Sequence, residues 1–369
     1  MPLLDSADSR PVHFVGIAGA GMSALAELFV RRGVRVTGCD AAAAAGFAAD
    51  LERQGIPVQH GHDPMHVEGA RALVVTSAMP REHPELLRAR SLGLPVVRRA
   101  EALGEAVRGG ELVAIAGTHG KTTTTVMTTD ALTAAGLEPT GLAGGRVGAW
   151  QGNLRYASDR IFVVEADEYD RSFLALTPTV AVVTNVEADH LDIYQDLDDI
   201  RQAFEHFLAP ARALVICADD AGANSLDVST GAEVLRYGTE RAATDARVVA
   251  TNLRREPERT RFDVYFDDEA LGEVALLVPG LHNVRNALAA IASGLALGTT
   301  LDRMRPGLES FAGVERRFQR LGEAQGVDVV DDYAHHPTEI VATLDAARSA
   351  FPGRRIVVAF QPHLFTRTR

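Results

Sequence analysis

The chain has 369 residues, of which 46% are hydrophobic and 23% charged, a composition typical of a globular protein with a large core and two or three domains. Its formal net charge of -12 argues against general nucleic-acid binding. Only Cys39 and Cys217 occur, so the sequence contains neither a disulfide framework nor a cysteine-based zinc spacing. No run of about 18 uncharged apolar residues occurs and the N-terminus lacks a signal-peptide pattern, so we expect a cytoplasmic protein without a membrane partner.

The first hundred residues alternate short β-branched runs with helical stretches. The predicted strands cover residues 12–17, 34–39, 72–76 and 95–97, and the predicted helices cover residues 22–32 and 82–91. Such alternation is typical of a parallel sheet with crossover helices, so we predict an α/β fold with a Rossmann-like N-terminal sheet. Arg98 and Arg99 are expected to start a solvated helix rather than to form a binding patch.

A glycine loop follows the first predicted strand. Gly19, Gly21 and Ala24 match the dinucleotide-binding fingerprint in its G-x-G-x-x-A form, and Asp40 closes the second strand at the spacing expected for a carboxylate that meets a ribose hydroxyl. The pattern indicates a helix N-terminus that accepts a pyrophosphate, which a UDP-sugar supplies as well as NAD does. A close-packed turn without a ligand is the alternative.

A second glycine loop, Gly-Thr-His-Gly-Lys-Thr-Thr-Thr at residues 117–124, directly follows an apolar strand predicted at residues 112–116. A strand that leads through such a loop into Lys-Thr is typical of nucleoside triphosphate sites. Lys121 would bring a positive charge to the outer phosphates, and the Thr122 hydroxyl can bind Mg²⁺. The loop departs from the ordinary Walker pattern because Ile115 stands where the first glycine is expected. We therefore predict ATP as a cofactor, with a plain glycine-rich turn as the alternative.

Acidic clusters follow two further predicted strands. The first cluster, at residues 165–170, comes after a strand at 161–164, and the second, at residues 185–192, comes after a strand at 180–185. Open parallel sheets bind ligands at the carboxyl ends of their strands. Glu165 is the best-placed Mg²⁺ ligand, and His190 is a candidate for a second metal or for positioning an acceptor. Solvated acidic turns are the alternative.

The remaining chain adds strands, an amphipathic helix and a third region. A strand is predicted near residues 214–217, and three alternating runs near residues 247–253, 261–266 and 273–278 are expected to be antiparallel. The helix at 282–297 carries Asn283 and Asn286 on one face, where they could read an adenine edge or simply cap the helix. A strand at 327–333, a helix at 338–350 and a strand at 354–360 would start the third region.

Taken in order, these motifs resemble those of the Mur ligase family, and especially those of its alanine-adding members. The resemblance extends over nearly the whole chain. The motifs that carry it are the glycine loop at 16–24, the phosphate loop at 117–124, Glu165-Ala-Asp-Glu168, Asp189-His-Leu-Asp192, His282-Asn-x-x-Asn286, Phe311-x-Gly-Val-x-Arg316-Arg317-Phe318, Asp331-Asp-Tyr-Ala-His-His-Pro337, and Gln361-Pro-His363 with Thr366-Arg367. Each motif alone is weak, whereas the ordered set is highly specific.

The resemblance implies an ATP-dependent ligase of peptidoglycan synthesis. ATP would phosphorylate the lactoyl carboxylate of UDP-N-acetylmuramate, and the amine of L-alanine would attack the acyl phosphate to give an amide, ADP and phosphate.

The same resemblance implies roles for individual residues. The UDP-sugar would be held by Gly19, Ala20, Gly21, Met22, Ser23 and Asp40. ATP would be held by Gly117, Thr118, His119, Gly120, Lys121, Thr122, Thr123, Asn283, Asn286, Arg317 and Asp331. Mg²⁺ would be bound by Thr122 and Glu165, with His190 at a second Mg²⁺ site. The catalytic residues would be Lys121, His190, His335 and Arg367, and the acceptor region would be formed by Tyr333, His335, His363 and Arg367.

Three domains are expected: a UDP-sugar-binding domain at 1–108, an ATP-binding domain with an added antiparallel sheet at 109–312, and the start of a C-terminal ligase domain at 313–369. Family members continue for roughly half a domain beyond the position of Arg369, so the third domain is expected to be incomplete. The alternatives are a ligase that adds a recycled peptide to UDP-N-acetylmuramate, an inactive truncated form that binds the UDP-sugar, and a nicotinamide-dependent dehydrogenase.

Overall fold

The computed structural model describes residues 3–41, 47–77, 79–229, 231–239, 245–256 and 259–362. The chain forms two compact units, one from Met1–Ala114 with Glu138–Thr179 and the other from Ile115–Leu137 with Val180–Arg369. In the described ranges no helix combines the length and the apolar character needed to cross a lipid bilayer.

The first unit opens with a parallel sheet and its crossover helices. Its elements are β1 (Val12–Val15), α1 (Ala20–Arg31), β2 (Val36–Asp40), α2 (Ala48–Arg53), β3 (Val58–His60), β4 (Ala72–Val75), α3 (Pro84–Ser91), β5 (Val96–Arg98) and α4 (Arg99–Ala106). The strands lie in the order β3-β2-β1-β4-β5, with Val12 in register with both Val36 and Ala72. The predicted parallel sheet is confirmed, and α4 begins at Arg99 as expected. The short elements α2 and β3 were not predicted.

Four strands follow, three of them within the first unit. β6 (Glu111–Ala116) carries the chain from the first unit into the second, and β7 (Thr140–Val147), β8 (Gly152–Arg155) and β9 (Ile161–Glu165) belong to the first. β7 pairs with β9 in parallel and with β8 in antiparallel orientation.

The second unit continues the α/β pattern and then adds antiparallel strands. Its elements up to residue 309 are α5 (Lys121–Ala134), β10 (Val180–Val183), α6 (Leu197–Leu208), β11 (Ala213–Cys217), α7 (Ala221–Asn224), β12 (Glu233–Gly238), β13 (Val248–Arg255), β14 (Thr260–Phe266), β15 (Glu269–Leu276), α8 (Leu281–Ala296) and α9 (Leu301–Glu309). Neighbouring strands from β10 to β13 are parallel, whereas β13, β14 and β15 are antiparallel. The predicted fold class, with its added antiparallel sheet, is confirmed; β12 was not predicted.

Helix α5 occupies the centre of the second unit. Its Val126, Met127 and Leu132 are fully buried, and α5 packs against both α8 and α9. Gly307 permits the close approach of α9, because a Cβ there would overlap the carbonyl oxygen of Asp130. The phosphate loop is therefore continuous with a helix that the core holds on several sides.

The C-terminal part contains β16 (Gln319–Ala324), β17 (Val327–Asp331) and α10 (Pro337–Ala350). β16 and β17 form an antiparallel pair. The strand predicted at residues 354–360 was wrong, since these residues are mostly exposed and form no strand. An apolar run becomes a strand only when another strand takes its backbone hydrogen bonds, and none of the described strands lies beside this run.

Candidate functional site

The phosphate loop lies between β6 and α5 and requires both of its glycines. Gly117 has φ +136° and Gly120 has φ +82°, conformations that side chains disfavour. A Cβ on Gly117 would overlap the hydroxyl oxygen of Thr184, and a Cβ on Gly120 would come within 2.7 Å of Asn286 Oδ1. Gly120 precedes the first turn of α5, so the loop delivers its backbone N–H groups to a helix N-terminus.

Two residues just beyond β10 hold this loop in place. The backbone N–H of His119 donates to Asn185 Oδ1 at 2.7 Å, and Asn185 Nδ2 donates to the His119 carbonyl at 3.0 Å. The Thr184 hydroxyl also donates to the His119 carbonyl, at 2.6 Å. Asn185 opens the predicted cluster at residues 185–192, but sequence reasoning did not predict that it holds the loop, and it missed Thr184. Nothing in their local pattern indicates contact with a loop 65 or 66 residues away.

Lys121 folds over the loop. Its Nζ donates to the carbonyl of Gly117 at 2.6 Å and approaches that of Thr118 at 3.4 Å. It is the only lysine among the 369 residues of the sequence. An ammonium group held on loop carbonyls is in place to meet an anion that enters the loop.

A cleft of the second unit opens beside the loop. Its lining includes His119, Gly120, Thr122, Thr123, Thr184, Asn185, Glu187, Cys217, Asp219, Tyr237, His282, Asn283, Arg285, Asn286, Phe311, Arg317 and Asp332. Seven of the predicted ATP-binding residues therefore line one cavity: His119, Gly120, Thr122, Thr123, Asn283, Asn286 and Arg317. The wall combines aromatic rings with amides and charged groups, as nucleotide sites do.

The predicted asparagine pair forms part of this wall and joins two helices. Asn286 Nδ2 donates to Asn283 Oδ1 at 3.3 Å, and the Thr124 hydroxyl on α5 donates to Asn286 Oδ1 at 3.1 Å. Asn283 Nδ2 donates to the Pro279 carbonyl at 2.7 Å, whereas Gly280 occupies the N-cap position of α8. The pair thus ties α8 to the helix that begins at the phosphate loop.

The far end of the cleft carries groups with shifted pKa values. Burial, together with the nearby charges of Arg285 and Arg317, lowers the pKa of His282 to about 4. Burial raises the pKa of Cys217 to about 11, with Asp219 adding to the effect. Asp219 also receives a hydrogen bond from Arg285 at 2.8 Å. At neutral pH this wall therefore presents a neutral imidazole, a neutral thiol and a paired guanidinium.

Two carboxylates, Glu187 and Glu339, border the phosphate loop. His119 Nε2 lies 3.3 Å from Glu187, and His119 Nδ1 lies 3.3 Å from Glu339. Thr338 donates its hydroxyl to Glu187 at 2.9 Å. Burial raises the pKa of Glu339, but the hydrogen bond from His119 and the charge of Arg317 outweigh it and hold the pKa well below its usual range. These contacts link the phosphate loop to the start of α10. Glu187 belongs to the acidic cluster predicted at residues 185–192, whereas sequence reasoning missed Glu339.

The run at residues 331–337, which begins at the end of β17, divides between the cleft and the surface. Asp332 lines the cleft and accepts backbone hydrogen bonds from Phe318 at 2.8 Å and Ala334 at 2.7 Å, whereas its neighbour Asp331 pairs with Arg316 at 3.8 Å. Successive residues of an extended chain point to opposite sides, so only one of the two aspartates can face the cleft.

The candidate acceptor residues Tyr333 and His335 lie next to each other. Their ring centroids are 5.1 Å apart, and His335 Nδ1 is 2.9 Å from the Tyr333 carbonyl. The Arg316 guanidinium lies 4.6 Å from the Tyr333 ring. His363 and Arg367 fall outside the described residues.

The predicted metal ligands other than Thr122 lie in different units, His190 in the second and Glu165 in the first. His190 has φ +55°, and its backbone N–H donates to Asp189 Oδ1 at 2.8 Å. Glu165 is the last residue of β9 in the first unit, where it lines a pocket with Asp167.

That pocket of the first unit contains most of the predicted UDP-sugar residues. It is lined by Gly19, Ala20, Gly21, Met22, Ala24, Thr76, Arg99, Leu142, Gly144, Glu165 and Asp167. Asp40 Oδ2 accepts from the backbone N–H of Ala18 at 3.0 Å, and the Ser23 hydroxyl donates to the Ala20 carbonyl at 3.0 Å.

Arg99 faces the glycine loop in this pocket, and a Cβ on Gly21 would come within 3.0 Å of its guanidinium. Its guanidinium also lies 3.9 Å from Asp167. Arg99 therefore both starts a helix and presents a cation to the glycine loop, a role that the sequence analysis did not predict.

Three family models match the chain. Residues 11–110 match the model described as the Mur ligase family, catalytic domain, residues 115–294 match the Mur ligase middle domain, and residues 316–368 match the Mur ligase, glutamate ligase domain.

Similar proteins include the UDP-N-acetylmuramate–L-alanine ligase of Salinibacter ruber, 46% identical over 98% of this chain and 76% of that protein, and the ligase of the same name from Acidothermus cellulolyticus, 48% identical over 96% and 75%. Among solved structures, the UDP-N-acetylmuramate–alanine ligase of Thermotoga maritima has a TM-score of 0.85 at 31% identity, covering 96% of this chain and 81% of that one. A murein peptide ligase from Psychrobacter arcticus has a TM-score of 0.76 at 28% identity, covering 93% and 77%. The chain spans about three quarters of the length of these proteins.

Proposed function

The chain belongs to the Mur ligase family, and on that premise we propose that it joins L-alanine to UDP-N-acetylmuramate at the cost of ATP. The observation that carries this proposal is the 45–48% identity, over nearly the whole chain, with relatives named UDP-N-acetylmuramate–L-alanine ligase. In the reaction, a carboxylate oxygen of the lactoyl group attacks the γ-phosphorus of ATP and ADP leaves. The amine of L-alanine then attacks the carbonyl carbon, and phosphate leaves as the amide forms.

We assign the triphosphate to the loop between β6 and α5. The N-terminus of α5 and the ammonium group of Lys121 offer positive potential there, and both glycines keep the loop open to a ligand. In the phosphoryl transfer step this charge would stabilise the three oxygens of the transferred group. The adenine and ribose would occupy the cleft lined by Asn283, Asn286 and Asp332.

A divalent cation fits the charge balance at this loop. Glu187 and Glu339 lie beside His119, so a triphosphate entering the loop meets two carboxylates that repel it. We propose that Mg²⁺, bound by the Thr122 hydroxyl, offsets part of this repulsion, since Mg²⁺ prefers oxygen ligands shared with phosphates and water. Glu165 remains a predicted Mg²⁺ ligand. His190 is proposed for a second Mg²⁺ site.

The pocket of the first unit is proposed to bind the UDP-sugar. The N-terminus of α1 follows Gly19, and Arg99 places a guanidinium beside the loop, so the pocket suits a pyrophosphate. Asp40 would meet the ribose, and Tyr333, His335, His363 and Arg367 would serve the acceptor.

The proposal is tested by phosphate release from ATP with UDP-N-acetylmuramate and L-alanine added separately and together. Release that requires both substrates supports the ligase, and Lys121→Ala should abolish release while preserving UDP-sugar binding. Failure of the wild-type chain to release phosphate with both substrates, or equal loss of phosphate release and UDP-sugar binding in Lys121→Ala, would contradict the assignment.

The structural similarity to murein peptide ligases favours a peptide acceptor as the second candidate. Replacement of L-alanine by a muropeptide in the same assay tests this candidate directly.

The single lysine permits a direct test of the ATP site. An aldehyde that carries a phosphate group forms an imine with a lysine ε-amine, and reduction of the imine makes the label permanent. Lys121 provides the single ε-amine of the sequence that such a reagent can modify. We expect ATP with Mg²⁺ to protect this amine and UDP-N-acetylmuramate alone to leave it reactive. Labelling that ATP does not slow would place the triphosphate elsewhere.

A further inference from the structure

Imidazole, thiol and carboxylate groups converge at one side of the first unit, outside the pocket assigned to the UDP-sugar. They come from β1, from β2, from the segment after β3 and from α3. The metal-ligand cluster, as we call it, consists of His13, Cys39, His66 and Glu85, and one ligand atom from each residue lies within 4.8 Å of the others.

The distances within the cluster approach those between ligands of a single ion. Cys39 Sγ lies 3.1 and 3.0 Å from the two carboxylate oxygens of Glu85, and His66 Nδ1 lies 2.9 Å from Glu85 Oε1. His13 Nε2 lies 3.9 Å from Glu85 Oε2. Ligands about 2.0 to 2.3 Å from a tetrahedral Zn²⁺ are separated by a little more than 3 Å, so small side-chain shifts would complete the site.

His13 supports a metal more directly than the other members do. Its side chain is 0% exposed, and its Nε2 has no hydrogen-bond partner although it faces the cluster. Its other ring nitrogen, Nδ1, lies 2.9 Å from the Thr37 hydroxyl. An imidazole that donates from Nδ1 to a hydroxyl keeps the Nε2 lone pair available, which is the arrangement of histidine ligands in metal sites.

Charge gives a second reason for a cation. Glu85 and Cys39 are both 0% exposed, and the ion-pair partners of Glu85 are the imidazoles of His13, His62 and His66. An ionised carboxylate is costly to bury unless it is paired or coordinates a metal. A divalent cation with one thiolate, one carboxylate and two neutral imidazoles gives a neutral site, which suits burial.

We propose that His13, Cys39, His66 and Glu85 bind one divalent transition-metal ion of the Zn²⁺ class. Thiolate and imidazole ligands select Zn²⁺ or Co²⁺ over Mg²⁺ and Ca²⁺, which prefer oxygen. His62 and His83 lie on the outer side, with His62 Nδ1 3.3 Å from Cys39 Sγ and its ring centroid 4.6 Å from that of His83. The partly exposed His62 marks the side from which an ion would enter.

The proposed ion would fasten β1 and β2 to α3. Cys39 immediately precedes Asp40 at the end of β2, so the site would fix the strand end that carries this carboxylate. Binding to the folded state alone would raise the thermal midpoint of the protein as the metal concentration rises. This role is independent of the proposed ligase reaction.

The test uses the full chain after removal of metal with a chelator, titrated with Co²⁺. We expect one equivalent to bind with a thiolate-to-cobalt charge-transfer band in the near ultraviolet and with visible bands of a tetrahedral site, and Zn²⁺ should abolish both. Cys39→Ser should lose the charge-transfer band. Cys217→Ser, which changes the only other cysteine, should retain it.

His66→Gln provides a second variant that removes the imidazole ligand with little change in volume. We expect it to weaken Co²⁺ binding at least 10-fold while its circular dichroism remains that of the wild type. Absence of a charge-transfer band in the folded wild type, or a band that survives in Cys39→Ser but disappears in Cys217→Ser, would overturn the proposal. A wild type without metal affinity would mean that the cluster is a proton-linked network of histidines around Glu85.

Discussion

Truncation of Asn185 tests how the phosphate loop is built. Its side chain makes two hydrogen bonds to the His119 peptide, at 2.7 Å to the N–H and 3.0 Å to the carbonyl. At about 1 kcal/mol for each hydrogen bond, Asn185→Ala removes about 2 kcal/mol of support from the loop. If ATP must restore the native loop in order to bind, the same free energy weakens ATP binding by about 30-fold.

Calorimetric titration with ATP and Mg²⁺ measures this effect, and titration with UDP-N-acetylmuramate serves as the internal control, which Asn185→Ala should leave unchanged. Gln202→Ala is a matched control, because it truncates an exposed amide on α6. ATP affinity within twofold of the wild type in Asn185→Ala would refute the reasoning, since the loop would then keep its shape without the bridging amide.

Three further predictions concern the second unit. Gly117→Ala should lower the free energy of unfolding by about 2 kcal/mol, because the added methyl group meets a left-handed backbone and a neighbouring hydroxyl, whereas Gly148→Ala, with open space around it, should change it little in chemical denaturation. Acidification should destabilise the protein between about pH 6.5 and 4, because the unfolded chain binds a proton at His282 before the folded chain does. His282→Asn should remove this loss of stability, about 3 kcal/mol, from free energies of urea unfolding measured across the range. Glu339→Gln should cost about 2 kcal/mol of stability at neutral pH through the loss of its charged contact with His119, as thermal or urea unfolding would report.

Each of these results can fail in an informative way. Equal losses of stability in Gly117→Ala and Gly148→Ala would contradict the argument that the left-handed backbone at Gly117 requires glycine. Parallel pH profiles of the wild type and His282→Asn would show that another group causes the acid loss. For Glu339→Gln, the direction of the effect follows from the lowered pKa of Glu339 in the folded state. The ionised carboxylate stabilises the fold above the ordinary pKa of glutamate, and this stabilisation is lost as the pH falls towards the pKa of the folded state. A Glu339→Gln variant as stable as the wild type at neutral pH would contradict this prediction.

The sequence predicted the elements that are set by local pattern. The strand predicted before the phosphate loop and the amphipathic helix predicted at 282–297 appear in the structure as β6 and α8, because a buried apolar run and a helical apolar periodicity act over a few residues. The strand expected at residues 354–360 failed because strand formation depends on a neighbour that no local pattern specifies. β16 was missed for a related reason, since its exposed and charged residues lack the alternation of a half-buried strand.

Contacts between distant residues were beyond this kind of reasoning. The sequence indicated that Lys121 and Asn286 belong to one site, but it did not indicate that Asn185 holds the loop or that Glu339 contacts His119. These contacts depend on which strand ends lie side by side after folding. Arg99 shows the same limit, because its helix start was predicted and its position at the glycine loop was not.

The presence of one lysine gives the protein a built-in spectroscopic probe. Isotopic labelling of lysine alone would place a single observable ammonium group in the whole molecule, at the carbonyls of Gly117 and Thr118. Its resonance needs no assignment, and an anion that draws the group away from those carbonyls must change its frequency. Nuclear magnetic resonance of this one signal would therefore follow occupation of the loop throughout turnover.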